Sequence, residues 1–112
     1  MIVVKTTLNA LPEKQLEVLQ TLLSLIVPVG EEPGCISYSA FCDISDKNRF
    51  ILLEEWESKK DVDHHIQSSR FGVLLGTKTL LSEPHRIQIQ TVSKTEGMEA
   101  VHAARAAWKN KI

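Results

Sequence analysis

The sequence predicts an α+β fold, an antiparallel four-stranded sheet with two helices laid on one face. Three observations predict it. Four short segments alternate apolar and polar residues with a period of two, and two longer segments repeat apolar residues at helical spacing. They follow one another as strand, helix, strand, strand, helix, strand, with a further helix at the end. A chain of 112 residues, 43% hydrophobic and 24% charged, supports one such domain and little more.

Residues 2–8 are β-rich, with Ile2, Val4, Thr6 and Leu8 on one face and Val3, Lys5 and Thr7 on the other. Pro12 suits a first helical turn, where its missing N–H has no intrahelical partner. Leu16, Leu19, Leu22 or Leu23, and Ile26 then form one apolar stripe, and Pro28 is expected to kink or end that helix. Pro33-Gly34 turns the chain into a second strand over 35–42. There Ile36, Tyr38, Ala40 and Cys42 alternate against Cys35, Ser37, Ser39 and Phe41. The polar run 43–48 reads as a hairpin connection. A third strand over 50–57 sets Phe50, Leu52, Glu54 and Trp56 against Ile51, Leu53, Glu55 and Glu57.

Ser58 caps the next helix, with Asp61 three residues later as a capping box, and Val62, His65 and Ile66 face inward. Ser68-Ser69 interrupts that helix. A second piece continues through Phe71, Val73, Leu74 and Leu75 to about residue 81. A fourth strand follows over 86–92. Thr95 then caps a terminal helix over 95–112 with Met98, Val101, Ala104 and Trp108 on one side. The sequence holds no internal repeat and no low-complexity segment.

Two helices can cover only one face of this sheet, and an antiparallel sheet with a solvated second face should read as polar there. Here the third strand is apolar on both sides, and the first two share the pattern, diluted by Lys5, Ser37 and Ser39. Leaving several such side chains wet would forfeit roughly 1.5–3 kcal/mol each, a sum comparable with the stability of a small domain. The expected remedy is a homodimer, sheet against sheet.

Thirteen basic and fourteen acidic side chains give a formal charge of −1, which points away from nucleic acid and anionic membranes. No apolar run approaches the roughly 20 residues of a membrane span. The first residues lack the pattern of a signal peptide. Cys35 and Cys42 lie seven apart on one predicted strand, so strict alternation aims them at opposite faces and no disulfide joins them. A reduced, cytoplasmic setting follows as the expectation.

Three motifs carry a resemblance to a known family. They are Glu32-Pro33-Gly34-Cys35-Ile36 followed by Tyr38, then Phe50, Leu52, Glu54 and Trp56 as F-x-L-x-E-x-W, then His65, Ser68 and Phe71 as H-x-x-S-x-x-F. In this order and spacing the chain resembles the antibiotic biosynthesis monooxygenases from residue 2 to about 92. The resemblance implies ferredoxin-like subunits that pair into a dimeric α/β barrel, with residues 1–94 as the domain and 95–112 as an arm on its own or the partner subunit. It implies a cofactor-independent monooxygenase acting on a small aromatic molecule, a quinol or phenol. The haem-degrading branch is similar least. It carries a tryptophan where His65 stands and a histidine where this chain has Leu75, and its strand-one asparagine falls near Thr6 and Thr7.

His65 is the leading catalytic candidate, because an imidazole with an ordinary pKa near 6.5 accepts a phenolic proton at cellular pH. Glu54 is the second, as orienter of His65 or acceptor of a substrate hydroxyl. Trp56, Tyr38, Ser68 and Phe71 are the expected substrate-binding residues. The competing reading makes each of them packing: a buried histidine bonded to Glu54, Ser68 or a carbonyl, and aromatic rings as core. His64 points about 100° away from His65, into solvent. Asp61 and His65 are spaced to share a metal but lack a third ligand, so neither metal nor cofactor is expected. The alternatives to an oxygenase are a non-catalytic ligand-binding or assembly protein and a proton-transfer isomerase.

Overall fold

The computed structural model describes residues 1–110. Strands β1 (Ile2–Asn9), β2 (Cys35–Asp43), β3 (Asp46–Trp56) and β4 (Arg86–Thr91) form one sheet in the order β2-β3-β1-β4. Every neighbouring pair is antiparallel. Helix α1 (Gln15–Gly30) and the broken pair α2 (Lys59–Ile66) and α3 (Ser69–Gly76) cover one face of it, and α4 (Met98–Asn110) follows β4. Short 3-10 turns at Pro12–Lys14 and Thr77–Leu80 precede α1 and extend α3. This is the expected ferredoxin-like α+β order.

The core lies between that sheet face and the helices. Leu8 and Leu52 from the sheet, Val18 and Leu22 from α1, and Val62 from α2 are wholly buried. The buried stripe of α1 is rotated from the expected one. It runs Val18, Leu22, Leu25 and Val29, with Leu19 and Ile26 packed at its flank, while Leu16 and Leu23 are exposed. A helix this rich in leucine offers two apolar faces, and periodicity alone does not choose between them. Nor does Pro28 end the helix, which continues to Gly30. An interior proline costs about 3 kcal/mol. Burying Leu25 and Val29 on either side of it returns roughly 1.5–3 kcal/mol each, enough to hold the last turn in place.

In β2 the alternation slips. A bulge at Ile36 pairs Cys35 with Trp56 and Ser37 with Glu55, so Ile36 swings outward and Cys35 turns toward the core. Cys35 and Cys42 therefore share a face, opposite to the expectation. Both are free thiols, standing at opposite ends of the strand. The hairpin connection is also shorter than 43–48, because Asp43 already pairs with Asp46 across Ile44 and Ser45. The Asp43 carboxylate accepts from the Ser45 N–H and hydroxyl, closing the turn and drawing its own pKa below the usual value.

On the outer sheet face Ile36, Phe41 and Leu53 are exposed. Helix α4 buries none of its residues, and Met98, Val101 and Trp108 are open to solvent. It begins at Met98 rather than at Thr95, and positions 111 and 112 of the expected arm lie outside the described residues. No helix among the described residues is long and apolar enough to cross a membrane.

Among the described residues Gly34 is the one with a left-handed backbone, φ 81°. Its missing side chain leaves room for the Asp61 carboxyl, which also binds the Ser58 hydroxyl at the start of α2. Gly34→Ala combines backbone strain with a collision against Asp61. It is expected to lower stability by about 2 kcal/mol, read as a shifted urea midpoint at unchanged slope.

Candidate active site

His65 is the centre of the site, 2% exposed on the inward face of α2. Ser58 caps that helix by accepting from the Asp61 N–H, which fixes its start and therefore the direction in which His65 points. Two residues past the end of that helix Ser68 caps α3, and its hydroxyl donates to the His65 carbonyl at 2.6 Å and accepts from the Phe71 N–H at 3.3 Å. Ser68 thus serves the backbone, making the break that lets α3 bring Phe71 back over His65. The Trp56 ring stacks on the imidazole with centroids 4.7 Å apart and planes 27° apart. Phe71 and Tyr38 meet it edge-on at 5.5 and 6.1 Å. Five of the six expected residues, His65, Glu54, Trp56, Tyr38 and Phe71, therefore converge at one point. His64 is exposed, as expected.

Two carboxyls flank the imidazole. Glu32 places both oxygens near Nδ1, at 3.1 and 3.3 Å. Glu54 lies on the other side, with Oε1 at 3.5 Å from Nε2, beyond a good hydrogen bond. That Oε1 accepts instead from the Trp56 indole N–H at 3.0 Å. His65 Nε2 and Glu54 Oε2 are buried and have no hydrogen-bond partner among the described residues. Each such atom costs about 1–3 kcal/mol if it stays dry, and Thr6 Oγ1 and Asn48 Oδ1 share that state outside the site.

Glu32 was not singled out from the sequence as a site residue, although it begins the Glu-Pro-Gly motif. The signal available was its place there, two residues before a glycine that only a tight reversal requires. Asp61 is held by Ser58 and lies against Gly34, so it does not join His65 in a metal site. Among the described residues no group of three His, Cys, Asp or Glu side chains is placed to hold a metal.

Burial pushes the Glu54 carboxyl up to about 7, against a smaller opposing pull from the Trp56 N–H and with a further push from Glu32. Burial, then the Glu54 and Glu32 charges, raises the Tyr38 phenol and the Cys35 thiol as well. Among the described residues, three clefts of note lie elsewhere. One of about 880 Å³ sits between α3 and the start of β4, lined in part by Leu75, Leu81, His85 and Ile87. Two of about 310 Å³ lie on the outer sheet face by Lys5, Arg49 and Arg86, and against Trp108 of α4. His65 lines none of these three. His85, also unremarked in the sequence, has its Nε2 2.7 Å from the Thr77 hydroxyl and 3.1 Å from the Leu74 carbonyl, tying the end of α3 to β4.

A ferredoxin-like domain with a histidine and two carboxyls enclosed between sheet and helices is the class that this geometry defines. The sequence profile of the antibiotic biosynthesis monooxygenases matches residues 1–74, and the chain belongs to that family. It is 32% identical over 96 residues to the Synechocystis protein sll1783, which has no assigned activity. That match covers 85% of this chain, which spans 65% of the relative's length. It is also 32% identical over 85 residues to YcnE of Bacillus subtilis, named provisionally as a monooxygenase, covering 75% of this chain and 90% of that one. A Deinococcus radiodurans structure assigned provisionally to the family superposes with a TM-score of 0.80 at 20% identity, over 87% of this chain and 97% of that one. A conserved Methanosarcina mazei protein gives 0.75 at 29% identity, over 80% and 89%.

The raised Glu54 pKa sets a pH dependence of stability. Its folded value of about 7 lies above the ordinary 4.5, so the folded state favours the neutral acid. The stabilisation is complete below pH 4.5 and is lost as pH rises through 7, about 3 kcal/mol in all. Glu54→Gln keeps the shape without the charge. It is expected to match the parent protein at pH 4 and exceed it by up to about 3 kcal/mol at pH 8.5 in urea unfolding. An equal difference at both pH values would show that Glu54 does not titrate there.

Proposed function

We propose that the protein is a cofactor-independent monooxygenase acting on a small quinol or phenol, with His65 as the base. The observation that carries this reading is the pair of buried, unpartnered atoms His65 Nε2 and Glu54 Oε2, beside a carboxyl whose pKa is pushed up to about 7. A hydroxyl placed between them donates to Nε2 and accepts from the protonated Glu54. Proton transfer to His65 leaves an electron-rich ring that reduces O₂ directly. For a hydroquinone, one oxygen atom joins a ring carbon, the other leaves as water, and the quinol supplies the four electrons in becoming a hydroxyquinone. Trp56, Tyr38 and Phe71 form the walls. Tyr38 and Phe71, each 6% exposed, are the walls nearest the surface and the ones whose rotation opens a path.

A second reading has an observation of its own. His65 is enclosed by side chains and borders none of the three clefts, whereas the cleft at Leu75, Leu81 and Ile87 is open. On that reading the protein binds a small hydrophobic molecule there without turnover. Oxygen uptake with a panel of hydroquinones separates the readings. An oxygenase consumes O₂ and loses at least about 100-fold in rate on His65→Ala. Anaerobic turnover instead marks a proton-transfer isomerase, and a melting shift without turnover marks a binding protein.

We also propose that two copies pair through their outer sheet faces, with α4 resting on the partner subunit. The exposed Ile36, Phe41 and Leu53, and the apolar side of α4, support it. Light scattering is expected to give twice the 12.6 kDa subunit mass. Leu53→Arg is expected to shift that mass to the monomer, and a well-folded monomer of the unaltered chain at micromolar concentration rejects the pairing.

A further inference from the structure

We propose that Glu32 is the positioning residue of this site, holding His65 in the Nδ1–H tautomer so that Nε2 presents its lone pair toward Glu54. This deepens the reading of His65 as a base and rests on it for its purpose, though not for its geometry. A neutral imidazole carries one N–H, and the hydrogen bond made by one nitrogen decides the state of the other. At Nδ1 stand both oxygens of Glu32, at 3.1 and 3.3 Å. At Nε2 the nearest acceptor is Glu54 Oε1 at 3.5 Å, already engaged by the Trp56 N–H. The proton therefore belongs on Nδ1. Nε2 is left as a buried acceptor without a donor, which is the state that a base requires.

Glu32 is well placed for this. It follows α1 directly, with its N–H on the Val29 carbonyl and its own carbonyl accepting from the Cys35 N–H. Its side chain is only 9% exposed, and Arg70 of α3 stands 3.9 Å from its Oε2 at the surface. One carboxyl thus joins the end of α1, the imidazole on α2 and a cation on α3. The titratable and charged groups around the ring are Glu32, Glu54 of β3, Tyr38 and Cys35 of β2, and Arg70. Arg70 is the cation among them and it sits on Glu32. A ring set between two acids suits a neutral hydroxyl compound and opposes a carboxylate or phosphate.

Long-range ¹H–¹⁵N correlation NMR of the labelled full chain tests this at pH 9, above the Glu54 step at about 7. His65 is assigned by the loss of its signals in His65→Gln. The expected spectrum has a protonated Nδ1 and an unprotonated Nε2. Glu32→Gln, whose amide oxygen still accepts, keeps that pattern, while Glu32→Ala converts His65 to the Nε2–H form. A parent protein with Nε2–H, a doubly protonated ring, or an unchanged tautomer in Glu32→Ala would overturn the proposal. A merely structural Glu32 lowers the melting temperature of Glu32→Ala and leaves the tautomer alone. Should that variant not fold, the tautomer of the parent protein decides by itself. The expected pattern supports the proposal whatever oxygen uptake returns, so failure of the reaction and failure of this role remain distinct.

Discussion

Strand β3 sits between β2 and β1 and points Phe50, Leu52, Glu54 and Trp56 into the core, every one 2% exposed or less. Three of the four are what a buried strand face should carry. The fourth is a carboxyl, and burying it is the constraint on which the rest of the molecule turns. An isolated carboxylate in apolar surroundings is far too costly to keep charged, so the side chain answers by holding its proton up to about pH 7. Trp56, two residues on and on the same face, gives its N–H to one oxygen. The same indole presents its flat side to His65. Alternation on one strand therefore fixes both the acid and the surface against which the imidazole is set.

The helices supply what the strand lacks. A continuous helix from 59 to 76 would carry Phe71 on a fixed angle from His65, six residues on and about 120° away around the axis. The break at Ser68 resets that angle, and its hydroxyl satisfies one backbone group from each side of the break. His65 and Phe71 can then both face the sheet. Glu32 enters from a third direction, through the turn that Gly34 makes possible. A site drawn from β3, α2, α3 and the end of α1 is held by most of the core at once. Its polar groups cannot relax toward solvent individually, which is why unpaired atoms persist there.

Much of this was legible in the sequence, because two of its signals are strictly local. The period of two in β3 gave its buried face residue by residue, Ser58 announced the start of α2, and Ser68-Ser69 marked the interruption that the structure places between α2 and α3. What was not legible depended on competition between distant parts. The bulge at Ile36 shifts Cys35 inward because β2 must match β3 beyond it, and no pattern within β2 records that. The leucines of α1 allowed two stripes, and the sheet chose the one through Val18 and Leu25. Pro28 stays helical because neighbouring burial outweighs its local cost. Glu32 lies 33 residues before His65 in a turn, where charge normally means solvent, and only the tertiary approach of α2 gives it a partner.

The enclosure of His65 also limits how any ligand could use it. Burial raises the Glu54 pKa, so a path that simply admits water would return that carboxyl to its ordinary range and remove the acid. On the proposed reading a substrate must exclude water as well as the side chains it displaces. Tyr38 and Phe71 meet the imidazole edge-on, and on that same reading a flat aromatic molecule would have to take the place of one of these rings. A flexible aliphatic alcohol offers the same hydroxyl but not the same plug. The geometry that makes the site hard to enter is thus the one that would favour a phenolic ring once inside.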